Sequence, residues 1–173
     1  MLTLITGGSK CGKSQYAEEL LKGIVQHKFY LATMKPFGKE AEAAISRHRI
    51  MRQDKHFTTI EQYTDVNHLN LPNDSSVLLE CMGNLTANEM FRNNLCLDCT
   101  DKVISDILAL NRSIRHLIIV TNQVGSDGIR YDTGTTAYLS ALGKINQKLA
   151  SFADRFIECV WGIPVIHKGG TTC

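Results

Sequence analysis

Residues 7–14, with the sequence Gly-Gly-Ser-Lys-Cys-Gly-Lys-Ser, constrain the fold more than any other part of this chain. They match the pattern G-x-x-x-x-G-K-[ST], in which glycines let backbone N–H groups turn inward toward phosphate oxygens. An apolar run at residues 2–6 precedes the motif, and residues 14–25 follow it with helical spacing of apolar side chains. A strand, a glycine-rich turn and a helix in this order predict a phosphate-binding loop, because the helix N-terminus adds positive potential. The predicted nucleotide contacts in this loop are Gly7, Gly8, Ser9, Lys10, Cys11, Gly12, Lys13 and Ser14.

Three side chains in and beyond this loop are candidates for catalytic and metal chemistry. Lys13 is expected to act in catalysis as a point charge on the β- and γ-phosphates, and Ser14 to offer its hydroxyl to Mg²⁺. Glu80 ends the apolar run at residues 77–79. Because a buried strand does not tolerate an unpaired charge, Glu80 is expected at the strand's carboxyl end, facing the nucleotide. The pattern therefore predicts Mg²⁺ as cofactor, with Ser14 and Glu80 as its ligands.

Strand-like and helical segments alternate along the chain, which predicts βαβ units and a mostly parallel sheet with helices on both faces. We expect an α/β fold of the P-loop NTPase type (RecA-like), with residues 1–173 forming a single nucleotide-binding transferase domain. Residues 125–136 hold three glycines without apolar periodicity, and we interpret them as an active-site loop. The predicted strands are 2–6, 28–33, 57–61, 75–82, 116–122, 155–161 and 163–168, and the predicted helices are 14–25, 38–54, 84–93, 99–115 and 135–154.

Composition and charge exclude several classes of partner. The net charge of +2 is too small to indicate nucleic acid or an anionic membrane surface. No run reaches the ~18 apolar residues that a membrane span needs. A nucleotide-binding loop favours the cytoplasm, where the six cysteines stay reduced. Cys96 and Cys99 form a lone CxxC, which we interpret as two ordinary thiols because a metal site needs about four ligands.

Two segments near the C-terminal end carry a more specific resemblance. Residues 120–125, Val-Thr-Asn-Gln-Val-Gly, and residues 143–150, Gly-Lys-Ile-Asn-Gln-Lys-Leu-Ala, resemble motifs of the adenosylcobinamide kinase / adenosylcobinamide-phosphate guanylyltransferase family of cobalamin biosynthesis. The resemblance runs nearly end to end. The further matching segments are residues 6–14, 32–34, 44–52, 57–61 and 80–81.

The resemblance implies a two-step transferase acting on a corrinoid with GTP and ATP as substrates. A nucleoside triphosphate phosphorylates the hydroxyl of adenosylcobinamide, and GMP then passes from GTP through a histidine to the phosphorylated product. The matching histidine is His48, within Ala44-Ile45-Ser46-Arg47-His48. A neutral imidazole suits this role because it can attack phosphorus and split one difficult displacement into two easier ones. The resemblance also implies a homo-oligomer, a trimer.

Further nucleotide contacts are carried over position by position. Glu61 matches an acid whose carboxylate suits the N1–H and exocyclic amine of guanine. Arg52, four residues after His48, is expected to offset phosphate charge. Thr33, Met34 and Lys35 follow a predicted strand, at the sheet edge where open α/β folds bind ligands.

The chain also departs from the family pattern. Gln123 stands where the family has an acid, and residues 133–140 lack the arginines found there, with Arg130 as a candidate replacement charge. Guanidinium groups are natural partners of phosphates. Two alternatives to the bifunctional enzyme therefore stay open: a monofunctional P-loop small-molecule kinase, and a nucleotide-binding homologue with impaired catalysis.

Overall fold

The computed structural model describes residues 1–25, 27–39, 43, 45–46, 50, 55–125 and 127–170. Within these residues the strands are β1 (Leu2–Gly7), β2 (Lys28–Ala32), β3 (Thr58–Glu61), β4 (Ser76–Glu80), β5 (His116–Val120), β6 (Arg155–Val160) and β7 (Ile163–Lys168). The α-helices are α1 (Lys13–Glu19), α2 (Met82–Met90), α3 (Thr100–Ser113) and α4 (Thr133–Phe152), and single 3-10 turns span Val66–His68 and Arg92–Asn94.

The strands form one sheet in the order β3-β2-β4-β5-β1-β6-β7. Strands β1 to β6 pair in parallel, and β7 runs antiparallel to β6. The predicted α/β fold with a mostly parallel sheet is therefore confirmed. Because the parallel strands end at the same edge, the loops after β1, β2, β4, β5 and β6 meet there.

The sheet is covered on both faces, as predicted. Successive side chains along a strand point to opposite faces, so the apolar runs in the central strands supply two cores. One core joins the sheet to α2, α3 and α4 and includes Leu4, Leu79, Ile119, Leu85, Val103 and Leu142. The other joins it to α1 and includes Ile5, Leu78, Ile118, Ala17 and Leu21.

Several boundaries differ from the sequence prediction. Strand β4 ends at Glu80 and α2 begins at Met82, where residues 75–82 were predicted as strand. Helix α1 ends at Glu19, six residues earlier than residues 14–25 suggested. The predicted loop 125–136 is wrong over its last four residues, because α4 begins at Thr133. The reason is the Asp132 side chain, which accepts a hydrogen bond from the Thr135 backbone N–H at 2.9 Å and so caps the helix. The predicted helix 38–54 falls partly outside the described residues, although residues 39, 43, 45, 46 and 50 are helical.

An ionic cluster ties the 3-10 turn after β3 to α2 and α3. The Lys102 ammonium lies 2.9 Å from Asp65, 2.6 Å from Glu89 and 2.8 Å from Asp106. Glu89 and Asp106 are buried, and Glu89 also accepts the Asp65 backbone N–H at 2.7 Å. Within the described residues, the carboxylate oxygens of Asp65, Glu89 and Asp106 lie close enough together to hold a metal ion. The Lys102 ammonium already contacts all three carboxylates. The cluster is therefore a structural ion pair network.

None of the helices in the described ranges is long and apolar enough to cross a lipid bilayer.

The Lys102 network yields a stability prediction. Lys102→Met keeps the apolar stem but leaves three carboxylates, whose oxygens lie within 4.8 Å of one another, without their central cation. We expect it to lower the free energy of unfolding by about 3–5 kcal/mol at neutral pH, measured by urea denaturation. The exposed Lys148→Met is the control and should change stability by less than about 0.5 kcal/mol.

The Lys102 network also predicts that the stability difference between the native chain and Lys102→Met depends on pH. The hydrogen bond from Lys102 holds the pKa of Asp65 below its ordinary value. A carboxyl with a lowered pKa stabilises the folded state above its unfolded pKa, and this stabilisation is lost as the pH falls through the folded pKa. The stability difference between the native chain and Lys102→Met should therefore shrink below about pH 4. A difference that stays constant from neutral to acid pH would contradict this assignment.

Candidate active site

A pocket of about 710 Å³ opens at the carboxyl edge of the sheet. It is built where the loops after β1, β2, β4 and β5 meet the start of α1. The residues lining it that were predicted as site residues are Ser9, Lys10, Cys11, Gly12, Lys13, Ser14, Met34 and Glu80. The other lining residues are Gln15, Tyr30, Ala32, Ile45, Cys81, Asn84 and Asn122.

The phosphate loop turns at two glycines that no other residue replaces easily. Gly7 has φ +146° and Gly12 has φ +94°, both in the region that favours glycine. A Cβ at Gly7 would lie 2.4 Å from the Cys159 carbonyl oxygen of β6 and 2.7 Å from Cys11 Sγ. The loop can therefore leave β1 only because the residue at position 7 has no side chain.

Lys13 starts α1 and brings its charge into this loop. Its side chain is buried, and Nζ donates a hydrogen bond to the Gly8 carbonyl oxygen at 2.5 Å. Nζ also lies 3.8 Å from Cys11 Sγ. An ammonium held inside the loop is positioned to attract anionic oxygens that enter the pocket.

Ser14 and Glu80 meet across the pocket. The Ser14 hydroxyl donates to Glu80 Oε1 at 2.5 Å. Glu80 is the last residue of β4, and its partners in the neighbouring strands are Ala32 and Val120. A hydroxyl oxygen and a carboxylate oxygen this close together are the oxygen donors that Mg²⁺ prefers, so the donor set fits the predicted ion.

Three further pocket residues follow the ends of strands, and two of them, Cys81 and Asn84, were not among the predicted site residues. Cys81 directly follows β4, Asn84 lies in the first turn of α2, and Asn122 lies two residues after β5. Asn122 Nδ2 is 4.0 Å from Cys81 Sγ. Burial raises the pKa of the Cys81 thiol, which favours its protonated form. The sequence feature that indicates Cys81, Asn84 and Asn122 is their position just after buried strands. No sequence feature indicated Tyr30 or Gln15.

The remaining predicted residues lie in different environments. Thr33 is fully buried, and its hydroxyl donates to the Cys81 carbonyl oxygen at 2.9 Å, which joins the end of β2 to the start of α2. Lys35 is exposed. Glu61 ends the edge strand β3 and accepts a hydrogen bond from the Tyr63 hydroxyl at 3.0 Å. His48 and Arg52 lie outside the described residues.

Gln123 stands at a position where an acid is expected, and its hydrogen bonds connect the loop after β5 to its neighbours. Its amide donates to Glu158 Oε1 of β6 at 2.8 Å, and its backbone N–H donates to the Gly7 carbonyl at 3.0 Å. Glu158 also lies 2.9 Å from His167 Nε2. The hydrogen bonds from Gln123 and His167 lower the pKa of Glu158. Gln123 therefore fixes the loop after β5 against the phosphate loop.

The two thiols of the CxxC pair, Cys96 and Cys99, differ in burial. Cys99 is buried and donates to the Thr86 carbonyl at 3.6 Å, while Cys96 is exposed. Burial raises the pKa of Cys99 to about 11. The Cys99 thiol is thus a packing group at the start of α3.

Comparison with known proteins identifies related sequences. The profile of a family described as cobinamide kinase / cobinamide phosphate guanyltransferase matches residues 3–166. The bifunctional adenosylcobalamin biosynthesis protein CobU of Salmonella typhimurium (strain LT2) is 30% identical, over 97% of this chain and 100% of that protein. The protein of the same name from Escherichia coli (strain K12) is 29% identical over the same shares.

The geometry of the loop predicts different stabilities for alanine substitutions at two adjacent glycines. Gly7→Ala should lower the free energy of unfolding by about 2–4 kcal/mol, because the new Cβ collides with the Cys159 carbonyl in a strained backbone conformation. Gly8→Ala is the control, since a Cβ there meets nothing within 4 Å. Urea denaturation measures both. Equal stabilities of the two variants would contradict the described loop geometry.

Proposed function

This chain belongs to the cobinamide kinase / cobinamide phosphate guanyltransferase family, and we propose that one phosphate cradle serves both of its reactions. The enzyme is a bifunctional kinase and guanylyltransferase of cobalamin biosynthesis. The observation that carries the proposal is the Ser14–Glu80 hydrogen bond of 2.5 Å beside the buried Lys13, in a pocket with room for a nucleotide. These groups supply the cation and the oxygen donors that a triphosphate with Mg²⁺ requires.

In the kinase step, the hydroxyl oxygen of adenosylcobinamide attacks the γ-phosphorus of a nucleoside triphosphate. The bond from that phosphorus to the β–γ bridging oxygen breaks, the nucleoside diphosphate leaves, and the hydroxyl proton is released. Lys13 contributes by neutralising the charge that builds on the β- and γ-oxygens. The backbone N–H groups of residues 8–14 hold the phosphates in place for the attack.

Ser14 and Glu80 are the residues that would hold Mg²⁺. When bound there, the ion supplies charge stabilisation to the β- and γ-oxygens and fixes their orientation. In this chain Glu80 keeps the Ser14 hydroxyl turned toward the pocket.

In the guanylyl step, a ring nitrogen of His48 attacks the α-phosphorus of GTP, and pyrophosphate leaves as the bond to the α–β bridging oxygen breaks. A phosphate oxygen of the phosphorylated cobinamide then attacks the same phosphorus. The P–N bond breaks, and the neutral imidazole is restored as the GDP-linked product forms. We place His48 near the pocket because Ile45, three residues before it in the sequence, lines the pocket.

Further residues are assigned roles around these two reactions. We propose that Arg52 and the exposed Lys35 offset phosphate charge, and that Glu61 accepts hydrogen bonds from the guanine edge. Met34 contributes apolar contact in the pocket, and Thr33 holds Met34 there through its bond to the Cys81 carbonyl.

We also propose a domain organisation, a cellular location and an oligomeric state for this chain. The chain acts as a single domain, which the continuous sheet from β3 to β7 supports. It acts in the cytoplasm, an environment consistent with the free thiols of Cys11, Cys81, Cys96, Cys99 and Cys159. It assembles as a homotrimer, because a small domain that handles a bulky corrinoid benefits from a neighbouring subunit's surface.

The histidine assignment predicts a covalent intermediate. Incubation with Mg²⁺ and α-labelled GTP should leave acid-labile, base-stable label on the protein, as expected of a phosphoramidate. His48→Ala should abolish this label and keep the phosphorylation of cobinamide. The exposed His68→Ala is the matched control and should keep both. A labelled His48→Ala protein would refute the assignment, and a native protein that binds GTP but takes no label would reduce the function to the kinase.

If one phosphate loop serves both reactions, a substitution in it should impair both. Lys13→Ala should weaken GTP binding and slow both reactions, because the same charge faces the phosphates in each. We expect a loss of about 2–3 kcal/mol in binding, the value of a charge-assisted hydrogen bond or more. Calorimetric titration with GTP measures it. Unchanged GTP affinity in Lys13→Ala would remove the phosphate-loop assignment.

A further inference from the structure

The two segments near the C-terminal end that carry the family resemblance, residues 120–125 and 143–150, meet in the structure. The Thr121 hydroxyl, just after β5, donates a hydrogen bond to Asn146 Oδ1 of α4 at 2.9 Å. Thr121 is fully buried, and Asn146 is half-buried. Thr121 and Asn146 do not themselves line the pocket. Any effect of this hydrogen bond on the pocket must therefore pass through a neighbouring residue.

The backbone around Thr121 is fixed beside the phosphate loop. The backbone N–H groups of Thr121 and Gln123 donate to the carbonyl oxygens of Ile5, at 2.9 Å, and Gly7, at 3.0 Å. The pairing of β5 with β1 thus continues beyond the end of β5, up to the first glycine of the loop. Asn122 lies between these two anchored residues, so its side chain starts from a fixed backbone position.

The Asn122 side chain points toward the phosphate loop. Successive side chains of a paired, extended chain point to opposite faces of a sheet. Val120 packs in the core on the α1 side, and Thr121 points to the other side, where it meets α4. The alternation therefore turns Asn122 back to the side of α1, in agreement with its place in the pocket.

The strand order places Asn122 between the groups that would hold the phosphates. Strand β5 lies between β1, which leads into the phosphate loop, and β4, which ends at Glu80. Glu80 pairs with Val120, so Asn122 lies two residues further toward the carboxyl edge. Asn122 Nδ2 is 4.0 Å from Sγ of Cys81, the residue after Glu80. The amide is therefore at the end of the cradle where Ser14 meets Glu80.

We propose that the Asn122 amide donates a hydrogen bond to a γ-phosphate oxygen in the kinase reaction, and that Asn146 is a positioning residue that holds Asn122 through Thr121. The inference rests on the proposed function, because it requires the Ser14–Glu80 end of the cradle to receive the γ-phosphate. The transferred phosphoryl group spreads its charge over its equatorial oxygens in the transition state. A donor fixed in advance stabilises that charge without reorganisation. The amide keeps its protons, so the bonds that form and break in the kinase step are unchanged.

The same donor should matter less in the guanylyl reaction. There the α-phosphorus is attacked and the γ-phosphate leaves as part of pyrophosphate, so no bond to the γ-phosphorus changes. A hydrogen bond to a γ-oxygen is then equally strong before and during the reaction. Such uniform binding affects the affinity for GTP and not the rate at saturation. A selective loss of the kinase reaction is therefore the expected signature of this contact.

Steady-state kinetics of Asn122→Ala and Asn122→Asp test the contact. The kcat for cobinamide phosphorylation should fall by about 100-fold or more in both, the loss typical of a missing transition-state donor. In Asn122→Ala, the KM for the nucleotide and the rate of labelling by saturating α-labelled GTP should change by less than about fivefold, the value of one ground-state hydrogen bond. Asn122→Asp is nearly isosteric with the native side chain, so its loss of phosphorylation cannot be attributed to a packing defect.

Variants of Thr121 and Asn146 test the positioning role. Thr121→Val keeps the shape of the side chain but removes the hydroxyl, whereas Thr121→Ser keeps the hydroxyl. Thr121→Val and Asn146→Ala should each lower the kcat for phosphorylation by about 10- to 100-fold, the cost of a misplaced group. Both should leave the labelling rate within about fivefold of the native rate, and Thr121→Ser should stay closer to the native kcat than Thr121→Val does. The exposed Gln147→Ala, beside Asn146 on α4, is the matched control and should change neither rate.

The outcomes distinguish this inference from the proposed function. An unchanged kcat for phosphorylation in Asn122→Ala would overturn the proposed contact and leave the phosphate cradle intact. Equal losses of phosphorylation and labelling in that variant would assign Asn122 to support of the phosphate loop and also overturn it. A native kcat in Thr121→Val would overturn the positioning role of Asn146. Failure of the native protein to phosphorylate cobinamide would instead contradict the proposed function.

Discussion

The hydrogen bond from Ser14 to Glu80 joins two parts of the chain that the sheet holds apart. Strand β5 lies between β1 and β4, so the bond spans two strand spacings of about 4.8 Å each. It forms because Ser14 extends from the start of α1 while Glu80 ends β4 at the same edge. The parallel pairing of these strands and the packing of α1 on the sheet are both needed to bring the two oxygens together. The pocket, its donor set and its polarity follow from that alignment.

The same alignment explains how one cradle can serve two reactions. Charge and oxygen donors lie at one end of the phosphate loop, where by our proposal the γ-phosphorus is attacked. Ile45 lines the pocket, and His48 follows it by three residues in the sequence; by our proposal His48 attacks a more internal phosphorus. Moving the attacked atom from γ to α then needs a second nucleophile and leaves the phosphate site unchanged. A histidine supplies it because an imidazole leaves as readily as it attacks.

The parts of the fold that follow from local patterns could be predicted from the sequence. Alternating apolar runs predicted the parallel sheet, and an acid after three apolar residues predicted that Glu80 would end β4 facing the loop. Tertiary contacts could not be predicted in this way. The spacing of Lys102 and Asp106 on one helix is visible in the sequence, but their convergence with Asp65 and Glu89 depends on how α2, α3 and the 3-10 turn pack. The hydrogen bond between Gly162 and Cys11 of the phosphate loop joins residues 151 positions apart and depends on β6 lying beside β1.

The central claim is that a single phosphate cradle binds the triphosphate for both reactions. Inhibition by tripolyphosphate tests it most directly, with the inhibition constant measured separately for cobinamide phosphorylation and for labelling of the protein by α-labelled GTP. If one cradle serves both, the two constants, corrected for competing nucleotide, agree within about twofold, a difference of less than 0.5 kcal/mol. Constants that differ by more than about tenfold, or roughly 1.4 kcal/mol, would show two separate phosphate sites and contradict the account.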